Sequence, residues 1–331
     1  MNINDFSVTE LTAAINQFPV QWGRVSQGGI FTDRGIRSRE LVIEDRSGTL
    51  AVLPTHEWGG EGTVASKIQR NTYAFGIKQT VHEDTVNAAD VQGIRAFGQD
   101  LGTSGLATIS EEVALRLQRI RARHDATLEH KRMGALKGNV LNAAGSASLA
   151  NMFSTFNVTQ VVVAFVLGTA TTDILAKCAA ILNQIQDNLK GDTMSGVRVL
   201  VSPAFYQALI RHAKVTAAYQ YHSEAAARLG QDLRKGFTFG GVTFEEYRAV
   251  INGTALITAG DGHAYPEGTI DTFATYYAPA DFNEAANTIG LPIYVKTWDK
   301  EGGRGTVIHT QCNSLPLCHQ PAVLVKVTSS N

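Results

Sequence analysis

Cysteine, long apolar runs and net charge are all scarce in this chain of 331 residues, and each scarcity excludes something. The three cysteines, Cys178, Cys312 and Cys318, cannot all pair, which argues against a disulfide-stapled secreted scaffold and for a reducing compartment. The first residues do not read as a basic stretch followed by an apolar signal segment. The longest apolar run, residues 161–167, is far short of the roughly 20 residues that span a bilayer, so it is expected to be a buried strand rather than a membrane segment. Lysine plus arginine (29) nearly equals aspartate plus glutamate (30), so no net field draws the whole protein to nucleic acid or an anionic membrane. Partners must be met through local surfaces.

Catalytic and cofactor signatures are missing as well. His56-Glu57 and His82-Glu83 begin like a zinc-protease helix, but neither has the second histidine three residues past the glutamate. Cys312, Cys318 and His319 lack a fourth ligand and read as small core residues near a strand end. Gly59-Gly60-Glu61-Gly62 has the wrong spacing for a phosphate loop, and Glu61 would repel phosphate. Gly102-Thr103-Ser104-Gly105 is one residue short of a nucleophile elbow. No catalytic residue, cofactor or metal is expected. The rival enzyme reading is a hydrolase using His82 or His263.

With 44% hydrophobic and 18% charged residues the chain is globular. Its most informative pattern is a pairing of an arm with a helix. Up to residue 36, apolar anchors such as Phe6, Leu11, Ile15, Phe18 and Trp22 are too widely spaced to form a core, although Thr9 can cap a short helix. Residues 40–44 and 49–53 flank the turn Asp45-Arg46-Ser47-Gly48, and residues 71–82 read as a further strand, so 37–83 forms a long β excursion. A two-stranded excursion is marginal alone.

Residues 110–137 then predict a helix of about 40 Å, with Ser110 as N-cap, Glu111 and Glu112 in the first turn, and Gly138 after the end. Val113, Leu117, Ile120, Leu128 and Leu136 leave a thin apolar stripe, and the remaining faces are expected to be wet. Gly134 and the glycine-rich joint after Gly138 suggest a bend near the helix end. The arginines Arg116, Arg119 and Arg123 are interspersed with Glu112, Asp125 and Glu129, which favours internal and intersubunit ion pairs over a single-signed face for phosphate. Such a helix behind an extended arm needs surface supplied by other copies of the chain.

An αβ region follows. Strands are predicted at 161–167 and 197–201, and helices at 173–189, from Ser202-Pro203 to about 214, and at 224–235 with Ser223 as cap. A hairpin turns at Gly240-Gly241, and further strands are expected at 254–258, 269–277, 292–298, 306–311 and 322–327.

In that order, arm, β excursion, long helix, αβ domain and returning terminal strand resemble a tailed-phage major capsid protein of the lambda type, with the HK97 fold. The resemblance is carried by Thr275-Tyr276-Tyr277-Ala278-Pro279, by Glu284 through Lys296, by Ser314-Leu315-Pro316-Leu317 and by Pro321-Ala322-Val323-Leu324-Val325. His82-Glu83 and Ala135-Leu136-Lys137-Gly138 also match. It implies an α+β, HK97-like capsid fold: an N-arm (1–36), an extended β-hairpin E-loop (37–83), a P domain (84–167) with spine helix 110–137, an A domain (168–310), and a return to the P domain (311–331). It implies a shell of hexamers and pentamers enclosing double-stranded DNA without sequence-specific binding, a place in the virion after assembly in the host cytoplasm, and no membrane partner. A separate scaffolding protein is expected, because arm and E-loop fill the residues ahead of the spine. A portal protein and a decoration protein are further implied partners. The intersubunit interface is expected to use Phe18, Trp22, Arg37, Arg39, Glu40, Glu44, Asp45, Arg46, Trp58, Arg116, Arg119 and Arg123. The alternative is another phage structural protein such as a tail-tube component, which would lack the long helix.

Overall fold

The computed structural model describes residues 8–17, 23–47, 69–92, 109–220, 236–251 and 253–330. The predicted helix at 224–235 and the predicted strand at 49–53 lie outside them. The long helix is Ile109–Leu136, rich in Ala, Leu, Arg and Glu, residues that lose least on entering a helix. Glu111 and Glu112 occupy its positive end. It is not a wet rod with one packed stripe. Arg121, His124, Asp125, Glu129, Lys131 and Arg132 are all buried along with Met133 to Leu136, because three layers of chain close around its second half.

The first layer is a six-stranded central sheet in the order Val161–Ala164, Val325–Thr328, Asp261–Glu267, Gly196–Val201, Val242–Glu246, Phe237–Phe239. Its core of Phe165, Phe205, Phe244 and Tyr265 is fully buried. The helix Ile174–Asn188 covers it with Ile174, Cys178, Ile181 and Ile185. Leu175, on the same helix, is exposed. The second layer is a three-stranded mixed sheet in which Phe273–Tyr277 lies between Thr32–Gly35 and Ser314–Cys318. The third is an antiparallel sheet of Tyr294–Asp299, Gly305–Gln311 and Val81–Asn87.

A second cluster, formed by Leu11, Ile15, Val86, Val113, Leu117, Ile120, Ile293, Val295, Ile308 and Cys312, sits where the antiparallel sheet meets the long helix and the N-terminal helix Val8–Gln17. That short helix blunts the sheet's edge, a row of groups that would otherwise invite pairing. Thr12 Oγ1 accepts from the Val295 amide at 3.1 Å, and Asn16 Nδ2 donates to Ile293 O at 2.9 Å.

Several elements depart from expectation. Residues 45–47 continue a strand, Glu40–Ser47, that pairs antiparallel with Gln69–Gly76, so no turn forms there. Register explains this: Leu41 opposite Phe75 and Ile43 opposite Tyr73 put four apolar side chains on one face, packed against the core. The strand foreseen at 71–82 is two strands, Gln69–Gly76 and Val81–Asn87, in different sheets. The strand foreseen at 161–167 stops at Ala164, and the terminal strand begins only at Val325, after a short 3-10 turn at Pro321–Val323. Two strands containing proline, Asp261–Glu267 and Ser314–Cys318, were not expected. Pro266 lies beyond the pairing with Val325–Thr328, and Pro316 is on an edge strand, so neither removes a needed ladder bond.

Arm residues Val25 and Phe31 belong to the main core, and Thr32–Gly35 pairs in parallel with Phe273–Tyr277. The stretch 23–35 is thus integral to its own subunit. The glycine at 134 has a packing role: a Cβ there would lie 2.9 Å from Asn139 O and 3.0 Å from Val140 Cα, so its absence allows the returning chain to pack on the helix.

Candidate assembly element: the polar face of the long helix

Two groups of charged residues on the long helix make internal ties. Some have an opposite charge one turn away. Arg116 pairs with Glu112 at 2.9 Å, and also reaches Asp84 at 3.0 Å and Asp90 at 2.9 Å, fixing the helix start to the strand Val81–Asn87 and the turn behind it. Arg121 pairs with Asp125 at 3.0 Å and donates to Asn16 Oδ1 at 3.3 Å, tying in the N-terminal helix.

The second group, Glu129, Lys131 and Arg132, has no opposite charge at four residues' distance and bonds to other layers. Glu129 Oε1 accepts from the Val25 amide and the Tyr247 hydroxyl, each at 2.8 Å, and Oε2 accepts from the Ser26 amide at 2.8 Å. Burial, with Glu129 alongside, pushes the Tyr247 hydroxyl far above its ordinary pKa, so it remains a donor. Lys131 Nζ donates to Thr80 Oγ1 at 3.0 Å and Ser314 O at 3.1 Å, and burial holds its pKa below the usual lysine range. Arg132 Nη2 reaches Asp33 Oδ1 at 2.5 Å, its Nε donates to Thr275 Oγ1 at 3.1 Å, and its guanidinium lies 5.5 Å from the Phe31 ring centre. A single helical turn, residues 129–132, therefore holds the arm, the mixed sheet and the chain leaving the central sheet together.

A neighbouring network reinforces this. Arg24 grips Glu245 through Nε and Nη2, at 2.6 and 3.0 Å, while Arg198 bridges Glu245 and Glu267 at 2.5 Å each. Side-chain spacing on the long helix was the available signal for these residues: a buried charge without an i, i+4 partner must find one outside its helix. Asp33, Tyr247 and Thr275 carried no such signal, because they are brought in by tertiary pairing.

The predicted interface residues scatter. Phe18, Trp22 and Trp58 lie outside the described residues. Glu44, Asp45 and Arg46 belong to the hairpin strand Glu40–Ser47. Arg37, Glu40 and Arg119 are exposed. Arg39 is exposed and pairs with Asp281 at 2.5 Å, whereas Arg116 is absorbed within the chain and Arg123 donates to His82 at 2.8 Å. Among the described residues no group of three or more metal-ligating side chains occurs, and no helix is long and apolar enough to cross a membrane. A cavity of about 440 Å³ lined by His130, Lys137, Leu141 and Leu256 opens beside the helix end.

The model of the family described as phage major capsid protein E matches residues 7–329. The chain is 29% identical to the major capsid protein of Pseudomonas phage KPP10, covering 98% of this chain and 97% of that one. It is 26% identical to the major capsid protein of Salmonella phage Felix O1, covering 97% and 96%. Among solved structures it shares its fold with the putative capsid protein of an E. coli CFT073 prophage, at a TM-score of 0.57 and 12% identity over 98% of this chain and 99% of that one.

Proposed function

The chain belongs to the phage major capsid protein E family, and from that membership we propose that it closes an icosahedral shell by occupying both hexameric and pentameric positions around double-stranded DNA. It is a structural protein of a tailed phage, has an HK97-like α+β fold, self-assembles, and resides in the virion capsid. The family match over residues 7–329 carries this reading and favours it over a tail-tube component.

In the proposed division of labour, the hairpin within 37–83 reaches a neighbouring subunit, the long helix is the spine of the P domain, and the region from 168 onward is the A domain. The strands Phe273–Tyr277, Tyr294–Asp299 and Gly305–Gln311, which pack with the long helix, support a return to the P domain earlier than residue 311. A separate scaffolding protein, a portal protein and a decoration protein are the proposed partners. DNA is enclosed without sequence-specific contacts, in keeping with a near-neutral chain.

No catalytic role is proposed. His263, which a hydrolase would need to expose, is buried within the central sheet, and His82 accepts from Arg123. Native mass spectrometry of gently dissociated shells tests the proposal: it expects both five-fold and six-fold multiples of the 35.6 kDa subunit. A single multiple from closed shells would sink it.

A further inference from the structure

The middle of the long helix meets the strand Val81–Asn87 through two histidines whose protonation states are dictated by their neighbours. Arg123 Nη1 lies 2.8 Å from His82 Nε2, and a guanidinium can only donate, so this ring nitrogen is unprotonated. Thr310 Oγ1 donates its single proton to His82 O at 3.0 Å. In the 2.9 Å contact between His124 Nε2 and Thr310 Oγ1 the ring must therefore be the donor, which leaves His124 Nδ1 as the bare nitrogen. The two rings stand edge to face with centres 6.5 Å apart.

The charges that face this pair are mostly positive. From the helix come Arg121, Arg123 and Lys131, of which only Arg121 has its own carboxylate, Asp125. From the strand comes Asp84, which is bonded to Arg116. Thr310 on the middle strand of the antiparallel sheet and Asn16 on the N-terminal helix add no charge. A proton on His82 Nε2 would point a second donor at Arg123 and break that bond. A proton on His124 would place a further cation between Arg121 and Lys131 at a nearly dry site.

We propose that this contact is an acid-labile latch: while His82 and His124 are neutral the long helix is fastened to the antiparallel sheet, and their protonation releases it. The proposal rests on the fold of the subunit and not on the shell reading. Burial first, then the neighbouring cations, hold His124 down to about 4, and His82 is lowered by burial and Arg123. Since the ordinary histidine value is about 6.5, the latch is at full strength above that pH and weakens as pH falls from there toward 4.

Hydrogen exchange of the purified full-length chain at pH 7 and pH 5, corrected for intrinsic exchange rates, tests this. Opening across residues 120–131 is expected to rise on the order of twentyfold for the wild type, from the His124 shift alone. In a chain carrying both H82Q and H124Q, where the amides can still accept from Arg123 and donate to Thr310 but cannot take up a proton, most of the rise should vanish, leaving only the part carried by His130, which burial also lowers. If that chain does not fold, H124Q alone should remove most of the rise. No rise in the wild type, or the same rise in the variants, overturns the latch.

Discussion

Tyr247 and Glu129 are separated by 118 positions in sequence, and the hydroxyl of one donates a 2.8 Å hydrogen bond to the carboxylate of the other. Through this contact the long helix is fastened to the chain that leaves the central sheet. The same carboxylate also takes the Val25 and Ser26 amides, so one buried side chain joins three separate stretches.

Glu129→Gln puts an amide donor among three donors and is expected to lower stability by about 2–4 kcal/mol, since each buried polar group left without a partner costs about 1–3 kcal/mol. Tyr247→Phe removes one donor to a charged group and is expected to cost about 1.5–3 kcal/mol. Urea unfolding of both variants checks the order. Equal stability of Glu129→Gln and wild type would show that the carboxylate does not hold these segments together.

Gly290 is where the loop before Tyr294–Asp299 passes closest to another backbone. A Cβ there would lie 1.9 Å from Tyr277 O, while the Gly290 amide donates to Ile36 O at 2.9 Å. Gly290→Ala must displace the mixed sheet, so a clear fall in melting temperature and loss of soluble protein are expected. A melting curve superimposable on wild type would contradict the close approach.

The sequence made some of this legible. Helices with local signals were found: Glu111 and Glu112 at the start of the long helix, and Ser202 with Pro203 at the head of the helix Pro203–Arg211. Burial of the long helix was not legible, because Glu129, Lys131 and Arg132 look solvent-facing until the arm and the mixed sheet fold over them. The strands holding Pro266 and Pro316 were missed because proline argues against a strand unless the missing N–H is known to face an unpaired side. The turn expected at Asp45 lost to a register that packs Leu41 and Phe75. Of the candidate interface, Arg39 keeps an exposed position, whereas Arg116 proved to be an internal tie because Asp84 and Asp90 arrive through the β pairing.

Acid should destabilise the central sheet as well. His263 is buried opposite Lys326 and Leu200, and burial first, then Lys137 and Lys326, lower it to about 3. The unfolded chain takes up this proton near pH 6.5 and the folded chain does not, so the stability is full above 6.5 and lost progressively as pH falls toward 3. At pH 5 the loss amounts to about 2 kcal/mol. His263→Gln should flatten the pH dependence of the denaturation midpoint between pH 7 and 5, and an unchanged slope would contradict the assignment.

Arg39 and Asp281 form an ion pair in which both side chains are mostly exposed, a kind of contact that adds little to a single subunit. Arg39→Ala should leave the melting temperature of the unassembled subunit unchanged and lower the yield of closed shells. A fall in subunit stability with normal shells would assign the pair a purely internal role.

Shell formation is most directly read by electron microscopy of the chain expressed alone and together with a candidate scaffolding protein from the same genome. Closed shells, or five- and six-membered rings, are expected in at least one of the two preparations. Uniform monomers or dimers in both would contradict a shell-building subunit.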